Sequence, residues 1–308
     1  PEGTGEEDRG QEGTGQGSAL TSLGDVTHMD VFLDRLISLA LEEDLGAAGD
    51  ITTEALVPAD AQGTAELIVK ERLVLAGLDT FARVFVRVDP DVKVELLARD
   101  GQEVQPKAMV ARVHGRMRAL LTAERTALNI VQRTSGMATM AQQVMAAVRG
   151  TKLRILDTRK TAPGMRSLSK QAVKAGGAFN HRFGLFDGVL IKDNHIAAVG
   201  GSVREALRRA RTNAPQLVKI EIEVTNLDQL AEALEEGADV VMLDNMDDEQ
   251  IRRAVELTAG RIPLEVSGGI TLERLPRLAK LGVDFVSMGA LTHSARAMDL
   301  SLEIVQAQ

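Results

Sequence analysis

The spacing of apolar residues predicts a small mixed domain in the first half of the chain. From Asp30 apolar residues recur every three or four positions, which predicts an amphipathic helix that ends near Gly46. Strand-like runs follow over 65–77, 92–98 and 109–115, with a helical segment over 78–86. The helical period returns from Arg116 to Val148, with an interruption expected near Gly136. Strands clustered with helices in this way are typical of an α+β layer.

After Gly150 the pattern becomes regular, and a short apolar run alternates with a longer segment of helical period six times. The predicted strands are LRILD, GVLIK, VKIEIEV, DVVML, IPLEV and DFVSM. This alternation predicts a parallel sheet covered by helices, either a β/α barrel or a doubly wound sheet. Polar residues follow each run. A barrel brings the C-terminal ends of all its strands together on one face, whereas an open sheet spreads them along a line, so the pattern favours the barrel.

The remaining segments are punctuated by glycine and acidic residues. Residues 1–18 contain six Gly, five acids and no large apolar side chain, so we expect residues 1–28 to form a flexible tail. The segment 42–60 predicts an ordered loop in which Thr52 and Thr53 cap a short turn. The predicted organisation is a tail, an N-terminal α+β domain, a barrel domain and a C-terminal segment that returns to the N-terminal domain, over 1–28, 29–150, 151–290 and 291–308.

Composition narrows the class of protein. The chain has no cysteine, which excludes disulfides and thiolate metal sites and makes a reducing cytoplasm the expected location. No apolar run reaches the roughly 18–20 residues of a membrane helix, and we expect no signal peptide. The net charge of −8 and the lack of Trp and Tyr exclude the basic stripe and stacking platforms of a nucleic-acid binder.

Positive charge is concentrated in one stretch of this acidic chain. Residues 152–196 carry nine Lys or Arg against three Asp and no Glu. A local cationic region in an acidic protein attracts an anionic ligand. Its densest pairs are Arg159 with Lys160, which follow Thr158 at a strand end, and His181 with Arg182 in a glycine-rich loop. These donors suit a ligand with several carboxylate or phosphate groups, although His181 alone is also compatible with a buried core histidine.

Acidic residues follow the third and fourth predicted barrel strands. In VKIEIEV, Glu221 and Glu223 share one side of the strand, because strand side chains alternate. For Glu221 we expect an ion pair inside the barrel. Glu223 and Asp244 end adjacent strands, where carboxylates can bind Mg²⁺, directly or through water, or accept hydrogen bonds from ribose hydroxyls. A simple ion pair remains the alternative for both.

Two loops after the last strands have the composition of phosphate sites. Ser267, Gly268 and Gly269 follow the fifth strand, and Met288, Gly289 and Ala290 follow the sixth. Glycines let backbone N–H groups approach an anion, and the last two loops of a barrel commonly bind phosphate. No GxGxxG, Walker P-loop or Ser-His-Asp order is present, so redox, nucleotide hydrolysis and acyl transfer have no support. His195 and His293 are candidates for supporting roles.

These motifs together resemble the quinolinate phosphoribosyltransferase family, of the type II phosphoribosyltransferases. The matching pieces, which run in order from about residue 42 to 302, are EDLGAAGDITT, ERTALNIVQRTSGMAT, DTRKTAPGMR, GGAFNHRFGLFDGVLIKDNH, EVTNLDQL, MLDNM, EVSGGIT and SMGALTHSARAMDLSL. The resemblance implies an incomplete β/α barrel with a smaller N-terminal α+β domain. It also implies a homodimer in which the N-terminal domain of one subunit closes the barrel mouth of the other.

The resemblance also implies roles for individual residues. The substrate-binding set is Arg125, Thr158, Arg159, Lys160, His181, Arg182, Lys192, Glu223 and Asp244. Lys160, Glu223 and Asp244 are the implied catalytic residues, and the last two are the candidate Mg²⁺ ligands. The phosphate loops correspond to Ser267–Gly269 and Met288–Ala290. Ala178 and Ala162 depart from the family pattern without removing a charge.

The implied reaction joins quinolinate to phosphoribosyl pyrophosphate and gives nicotinate mononucleotide, pyrophosphate and CO₂, a step of NAD biosynthesis. Two alternatives stay open. One is a related transferase that acts on another aromatic acid, and the other is a catalytically silent protein that binds phosphate ligands. An intact set of charged site residues argues against the silent protein.

Overall fold

The computed structural model describes residues 28–307 of the chain. The predicted tail lies outside these residues apart from His28, which begins a helix. The helices are α1 His28–Leu45, α2 Ile51–Leu56, α3 Leu78–Val88, α4 Met117–Ala147, α5 Arg166–Ala175, α6 Asp193–Ala198, α7 Val203–Asn213, α8 Leu227–Glu235, α9 Asp248–Thr258, α10 Leu275–Leu281 and α11 Ala290–His293. The strands are β1 Gln62–Val69, β2 Leu73–Val74, β3 Lys93–Leu96, β4 Glu103–Val104, β5 Met109–Arg116, β6 Arg154–Leu156, β7 Val189–Ile191, β8 Ile220–Val224, β9 Val240–Asp244, β10 Leu264–Ser267, β11 Phe285–Ser287 and β12 Leu300–Ala307.

The first half of the chain folds around an antiparallel sheet with the strand order β12-β1-β5-β3. Strand β1 buries every second residue, and Leu67 and Val69 are inaccessible to solvent. Phe81 and Phe85, one turn apart on α3, pack edge to face with ring centroids 5.0 Å apart in the same core. Strand β12 follows the barrel domain in the chain and pairs with β1, so the last described strand belongs to the N-terminal sheet.

The second half forms a parallel sheet with the strand order β6-β11-β10-β9-β8-β7. On β8 the residues Ile220, Ile222 and Val224 are buried under the outer helices, which leaves the intervening glutamates inside. Strands β6 and β7 are consecutive in the chain but lie at opposite ends of the strand order, and a single parallel bridge from Leu156 to Phe179 extends the β6 edge. The sheet is a β/α barrel open between β6 and β7. The predicted fold class is confirmed.

Helix α4 connects the two cores. Its first half contributes Leu120 and Leu128 to the N-terminal core, and its second half contributes Ala141 and Val144 to the barrel core. The helix is continuous, so the predicted interruption near Gly136 is wrong. A Cβ on this residue would lie 1.8 Å from the carbonyl oxygen of Arg296, so the glycine permits close approach of the returning chain.

The segment predicted as a loop over 42–60 contains helix α2. The N-cap is Asp50, whose Oδ1 accepts the Thr53 N–H at 2.9 Å, so the expectation that Thr52 and Thr53 act as caps is also wrong. A six-residue helix is too short to show a helical period in the sequence. Within residues 28–307 no helix has both the length and the apolar character needed to cross a membrane.

Candidate active site

The carboxyl ends of the barrel strands carry most of the predicted site residues. Thr158, Arg159 and Lys160 directly follow β6, and the Lys160 N–H donates to the Thr158 hydroxyl at 3.1 Å. The Lys160 carbonyl accepts from Thr292 Oγ1 at 2.7 Å, which ties this loop to the loop after β11. The backbone of Lys160 is therefore held at both sides, while its side chain is exposed and forms no ion pair within the described residues.

Arg159 and Arg182 place two positive charges close together. The Arg159 Nε is buried and has no hydrogen-bond partner among the described residues. Arg182 donates from Nη1 to the Gly188 carbonyl at 2.9 Å. Burial and the charge of Arg159 together lower the pKa of Arg182 below its usual value. An anion bound here would accept the unpaired Arg159 N–H and would reduce the repulsion between the two guanidinium groups.

A buried ion pair holds the loop that carries His181 and Arg182. Asp157 at the end of β6 and Lys170 on α5 are 0% and 5% exposed in their side chains, with Oδ1 and Nζ 2.6 Å apart. Asp157 also accepts from the His181 N–H at 2.8 Å and from Asn180 Nδ2 at 2.8 Å. Lys170 Nζ donates to the His181 carbonyl at 2.9 Å. Two buried charges thus fix the backbone of this loop.

Replacing Lys170 by methionine should destabilise the fold strongly. The change leaves the Asp157 carboxylate buried without its cation, which costs about 3–5 kcal/mol in comparable cases. Chemical denaturation of Lys170→Met measures this loss. The control is Lys174→Met on the exposed side of the same helix, which we expect to change the free energy of unfolding by at most about 0.5 kcal/mol. Equal unfolding midpoints for the two variants would contradict a structural role of the pair.

His181 points into the barrel, and both of its ring nitrogens have protein partners. Nδ1 accepts the Arg182 N–H at 2.7 Å. Nε2 lies 3.0 Å from Oε2 of Glu221 and 3.6 Å from Oε2 of Glu265. The interior partner expected for Glu221 therefore exists, but it is a histidine. In this arrangement His181 orients Arg182 and offers no free ring nitrogen to a ligand, which differs from the substrate-binding role that the resemblance implies.

The three ligand atoms of His181, Glu221 and Glu265 lie within 4.8 Å of one another, a spacing compatible with a metal ion. The hydrogen bonding argues against one. Because Nδ1 is an acceptor, a neutral ring carries its proton on Nε2, and a nitrogen that bears a proton cannot ligate a metal.

Lys192 and Glu223 end the adjacent strands β7 and β8 and form an ion pair. The Lys192 N–H donates to His195 Nδ1 at 2.9 Å, so His195 supports the position of Lys192. Asp244 lies two residues beyond the position level with Glu223 in the β8–β9 ladder. It accepts from Asn245 Nδ2 at 2.7 Å. The two carboxylates thus share the inner face of the sheet, but Asp244 lies two residues further toward the carboxyl ends of the strands than Glu223.

Both glycine loops bring backbone close to neighbouring side chains. Gly268 and Gly269 adopt positive φ values of 94° and 56°, and a Cβ on Gly268 would lie 2.2 Å from Asn245 Oδ1. A Cβ on Gly289 would lie 2.9 Å from His293 Nε2 and 3.1 Å from Lys160 Cδ. The Lys160 side chain therefore passes directly over the second loop. A larger residue in either loop would displace a polar site group.

Arg125 lies away from these groups. It is on α4 in the N-terminal domain and lines a separate cavity of about 300 Å³ with Asp50 and Thr122. The side chain is exposed. The chain therefore brings the other predicted charged residues to the barrel, but it does not bring Arg125 to them.

Sequence reasoning missed Asp157, Lys170 and Glu265. Asp157 precedes the Thr158–Lys160 run and was available in the DTRKT motif. Lys170 is a lysine on the buried face of a helix, where a charge needs a partner. Glu265 alternates with apolar residues on a strand in the same way as Glu221. In each case the sequence places a charged residue at a position where the pattern predicts a buried side chain.

Two family models match this chain in sequence. The Quinolinate phosphoribosyl transferase, N-terminal domain, matches residues 50–135, and the Quinolinate phosphoribosyl transferase, C-terminal domain, matches residues 137–303. The two matches meet at Gly136, inside α4.

Individual relatives agree with the family models. The nicotinate-nucleotide pyrophosphorylase (carboxylating) of Mycobacterium leprae is 46% identical over 273 residues, which cover 87% of this chain and 95% of that protein. The probable nicotinate-nucleotide pyrophosphorylase (carboxylating) of Bacillus subtilis is 42% identical over 272 residues, or 88% and 93% of the two chains. The crystal structure of NadC from Streptococcus pyogenes superposes with a TM-score of 0.86 at 40% identity and covers 92% of this chain and 98% of that chain. This chain belongs to the quinolinate phosphoribosyltransferase family.

Proposed function

We propose that this protein transfers the phosphoribosyl group of phosphoribosyl pyrophosphate to quinolinate with decarboxylation. The products are nicotinate mononucleotide, pyrophosphate and CO₂. The observation that carries the proposal is the buried Arg159 Nε without a partner, beside the guanidinium of Arg182. Two guanidinium groups this close repel each other, and the carboxylates of quinolinate would offset that repulsion and accept the unpaired Arg159 N–H.

The cations divide between two anionic substrates. Arg159 and Arg182 are suited to planar carboxylates, because a guanidinium fork binds both carboxylate oxygens. Lys160 reaches across Gly289 and is suited to the pyrophosphate, whose oxygens the backbone N–H groups of the glycine loops also bind. Fixing both substrates in one mouth places the pyridine nitrogen against C1 of the ribose, and such positioning supplies a large part of the barrier reduction.

The transfer step forms a bond from the pyridine nitrogen to C1 of the ribose while the bond from C1 to the pyrophosphate oxygen breaks. Positive charge grows on the ribose ring as pyrophosphate leaves. Glu223 and Asp244 lie on the inner face where their negative charge stabilises it. Glu223 is held in place by Lys192. The step needs no covalent intermediate with the protein.

Decarboxylation follows from the same intermediate. Once the ring nitrogen carries the ribose, its positive charge stabilises the in-plane electron pair that remains at C2 when CO₂ departs. A proton from water then bonds to this electron pair and replaces the lost carboxylate. The protein's part is to hold the ring between Arg159 and Arg182 while its charge changes.

Mg²⁺ is proposed as the metal of this site. Glu223 and Asp244 offer hard carboxylate oxygens, which Mg²⁺ prefers, although Glu223 already pairs with Lys192. Two such carboxylates together with substrate phosphates match the way Mg²⁺ is commonly held, with the protein supplying few direct ligands. When bound, Mg²⁺ neutralises charge on the leaving pyrophosphate.

We further propose that the active protein is a homodimer whose sites are completed across the interface. Arg125 lies in a cavity separate from the barrel groups, so a single chain leaves the predicted site incomplete. Exposed apolar side chains lie beside both parts. Ile51, which lines the Arg125 cavity, is 68% exposed, and Leu185 and Phe186 near Arg182 are 72% and 78% exposed. Burial of these surfaces against a second copy would remove apolar area from water.

A coupled assay tests the proposed function. The protein is incubated with carboxyl-labelled quinolinate, phosphoribosyl pyrophosphate and MgCl₂, and the expected result is one CO₂ released for each nicotinate mononucleotide formed. Turnover of nicotinate but not quinolinate would assign a different aromatic acid. Binding of both substrates without product would identify a silent binding protein. Omission of MgCl₂ with added chelator should abolish product formation.

A further inference from the structure

Glu265 is a buried carboxyl group near the site that the proposed reaction does not use. It lies on β10 and is 1% exposed. Its Oε2 lies 3.6 Å from His181 Nε2, and its Oε1 has no hydrogen-bond partner among residues 28–307. A buried ionised carboxylate with an unpartnered oxygen is costly, so its charge state needs an explanation.

Glu221 competes with Glu265 for the same donor. Its Oε2 lies 3.0 Å from His181 Nε2, nearer than Glu265, and its Oε1 is also buried without a partner. A neutral imidazole whose Nδ1 accepts from Arg182 has one N–H, which cannot satisfy two carboxylates. A proton on Glu265 removes the competition for this N–H. The neutral Glu265 carboxyl can then donate to Glu221, and His181 Nε2 donates to Glu221 as well.

The environment of Glu265 favours that proton. Burial and the negative charge of Glu221 raise the pKa of Glu265 to about 8. Burial lowers the pKa of His181, but the hydrogen bond to Glu221 and the charge of Glu265 raise it overall. A proton on Glu265 removes one of those charges, and the acceptor role of Nδ1 then leaves His181 neutral with its proton on Nε2.

The buried cluster of His181, Glu221 and Glu265 contacts the Arg182 backbone through His181. His181 Nδ1 accepts the Arg182 N–H at 2.7 Å, and the Arg182 guanidinium donates to the Gly188 carbonyl at 2.9 Å. A shift of the imidazole therefore shifts the residue that is proposed to hold a quinolinate carboxylate. Neither carboxyl of the cluster is assigned to touch the substrate, so any effect of Glu265 must pass through His181 and Arg182.

We propose that Glu265 is a positioning residue that works in its neutral, protonated form and fixes Arg182 for the quinolinate carboxylate through Glu221 and His181. The proposal rests on the proposed function for the identity of the substrate. It assigns Glu265 to recognition of the aromatic acid and not to phosphoribosyl pyrophosphate, since the contacts of Glu265 lead through His181 to Arg182 and not to Lys160.

The predicted pH dependence has a definite sign. The folded protein binds one more proton than the unfolded chain between the ordinary carboxyl value of 4.5 and about 8, so this group makes the free energy of unfolding fall as pH rises through that window. The neutral form, and with it the affinity for quinolinate, is retained below about pH 8 and lost above it.

Other charged or polar groups around the cluster are Lys170 and Asp157 behind His181, Ser287 on β11, Arg159 and Asp187 near Arg182, and Arg154 and Lys219, which line the adjoining cavity.

The experiment compares Glu265→Gln with Glu265→Leu in the full-length protein. Glutamine is neutral and can still donate to Glu221, so we expect KM for quinolinate and kcat within about twofold of wild type. Leucine cannot donate, and we expect KM for quinolinate to rise roughly tenfold, the equivalent of one lost hydrogen bond, with KM for phosphoribosyl pyrophosphate unchanged. The rise of KM for quinolinate above about pH 8 should be present in wild type and absent in Glu265→Gln. Glu273→Gln, at an exposed position, is the control and should keep the wild-type pH profile.

Two outcomes would overturn the proposal. If Glu265→Gln loses quinolinate affinity as Glu265→Leu does, the ionised carboxylate is required. If the alkaline rise in KM persists in Glu265→Gln, another group titrates.

A spectroscopic measurement separates failure of this proposal from failure of the proposed function, because it needs no substrate. Nitrogen NMR of His181 at neutral pH should show the neutral ring with the proton on Nε2 in wild type and in Glu265→Gln, and a doubly protonated ring would contradict the proposal.

Discussion

Replacement of Lys160 by alanine is expected to lower kcat by roughly 10²–10³-fold, the loss typical of removing one stabilising donor from a developing anion. Lys160 is the exposed cation of the mouth that has no ion-pair partner within the described residues, and its side chain crosses the Gly289 loop. Its charge is therefore available to the departing pyrophosphate. Because the stabilisation grows as the bond to C1 breaks, the loss should appear in kcat more than in KM.

The fold of Lys160→Ala should be unaffected. The contacts that hold this loop come from the backbone of Lys160, which bonds to Thr158 and Thr292, and alanine keeps both. The matched control is Lys152→Ala, an exposed lysine that precedes β6 at the opposite end of the strand. Steady-state kinetics and thermal unfolding of both variants test the prediction. Near-normal turnover by Lys160→Ala would rule out its role.

The barrel was predictable because its strands are short apolar runs bounded by polar residues. Each of the six predicted runs overlaps an observed strand, and the polar residues that follow them lie at the carboxyl ends. The alternation in β8 also placed Glu221 inside, since Ile220 and Ile222 had to face the helices. Local periodicity carries this information, so one sequence was enough to recover it.

Contacts between distant segments were not predictable in the same way. Gly136 resembles a helix breaker in the sequence, yet it is needed because the Arg296 backbone passes against it, a contact across 160 positions of sequence. Likewise, nothing local pairs Lys170 with Asp157 or Glu265 with His181. Tertiary packing decides these cases, and it overrides the local preference of glycine and of charged residues.

Arg125 is a predicted site residue that the fold of one chain does not bring to the barrel. Arg125 is on α4, next to Asp50 and Thr122, and lines a different cavity from that of His181 and Arg182. A residue that acts in the barrel of a second copy shows no contact to the site within its own chain. Its role can be tested only in a mixture of chains.

Mixing Arg125→Ala chains with Lys160→Ala chains is expected to restore activity that neither variant has alone. In a symmetric dimer with shared sites, a hybrid contains one site with Lys160 from one chain and Arg125 from the other, and one site that lacks both. With random exchange, half of the dimers are hybrids with one intact site each, so activity should recover to roughly a quarter of wild type. The chains are mixed, unfolded and refolded together, and the product is measured against each variant refolded alone.

Two controls make this result decisive. Arg125→Ala mixed with Arg159→Ala should also recover, because these residues again come from different chains in a shared site. Lys160→Ala mixed with Arg159→Ala should not recover, because both residues follow β6 of the same barrel and every dimer then carries a defect in each site. If no mixture recovers activity although all refold to dimers, each chain uses its own Arg125. Arg125 must then approach the barrel residues of its own chain. If the first two mixtures recover activity and the third does not, Arg125 acts in the barrel of the neighbouring chain. The site that contains Arg159 is then complete only in the dimer.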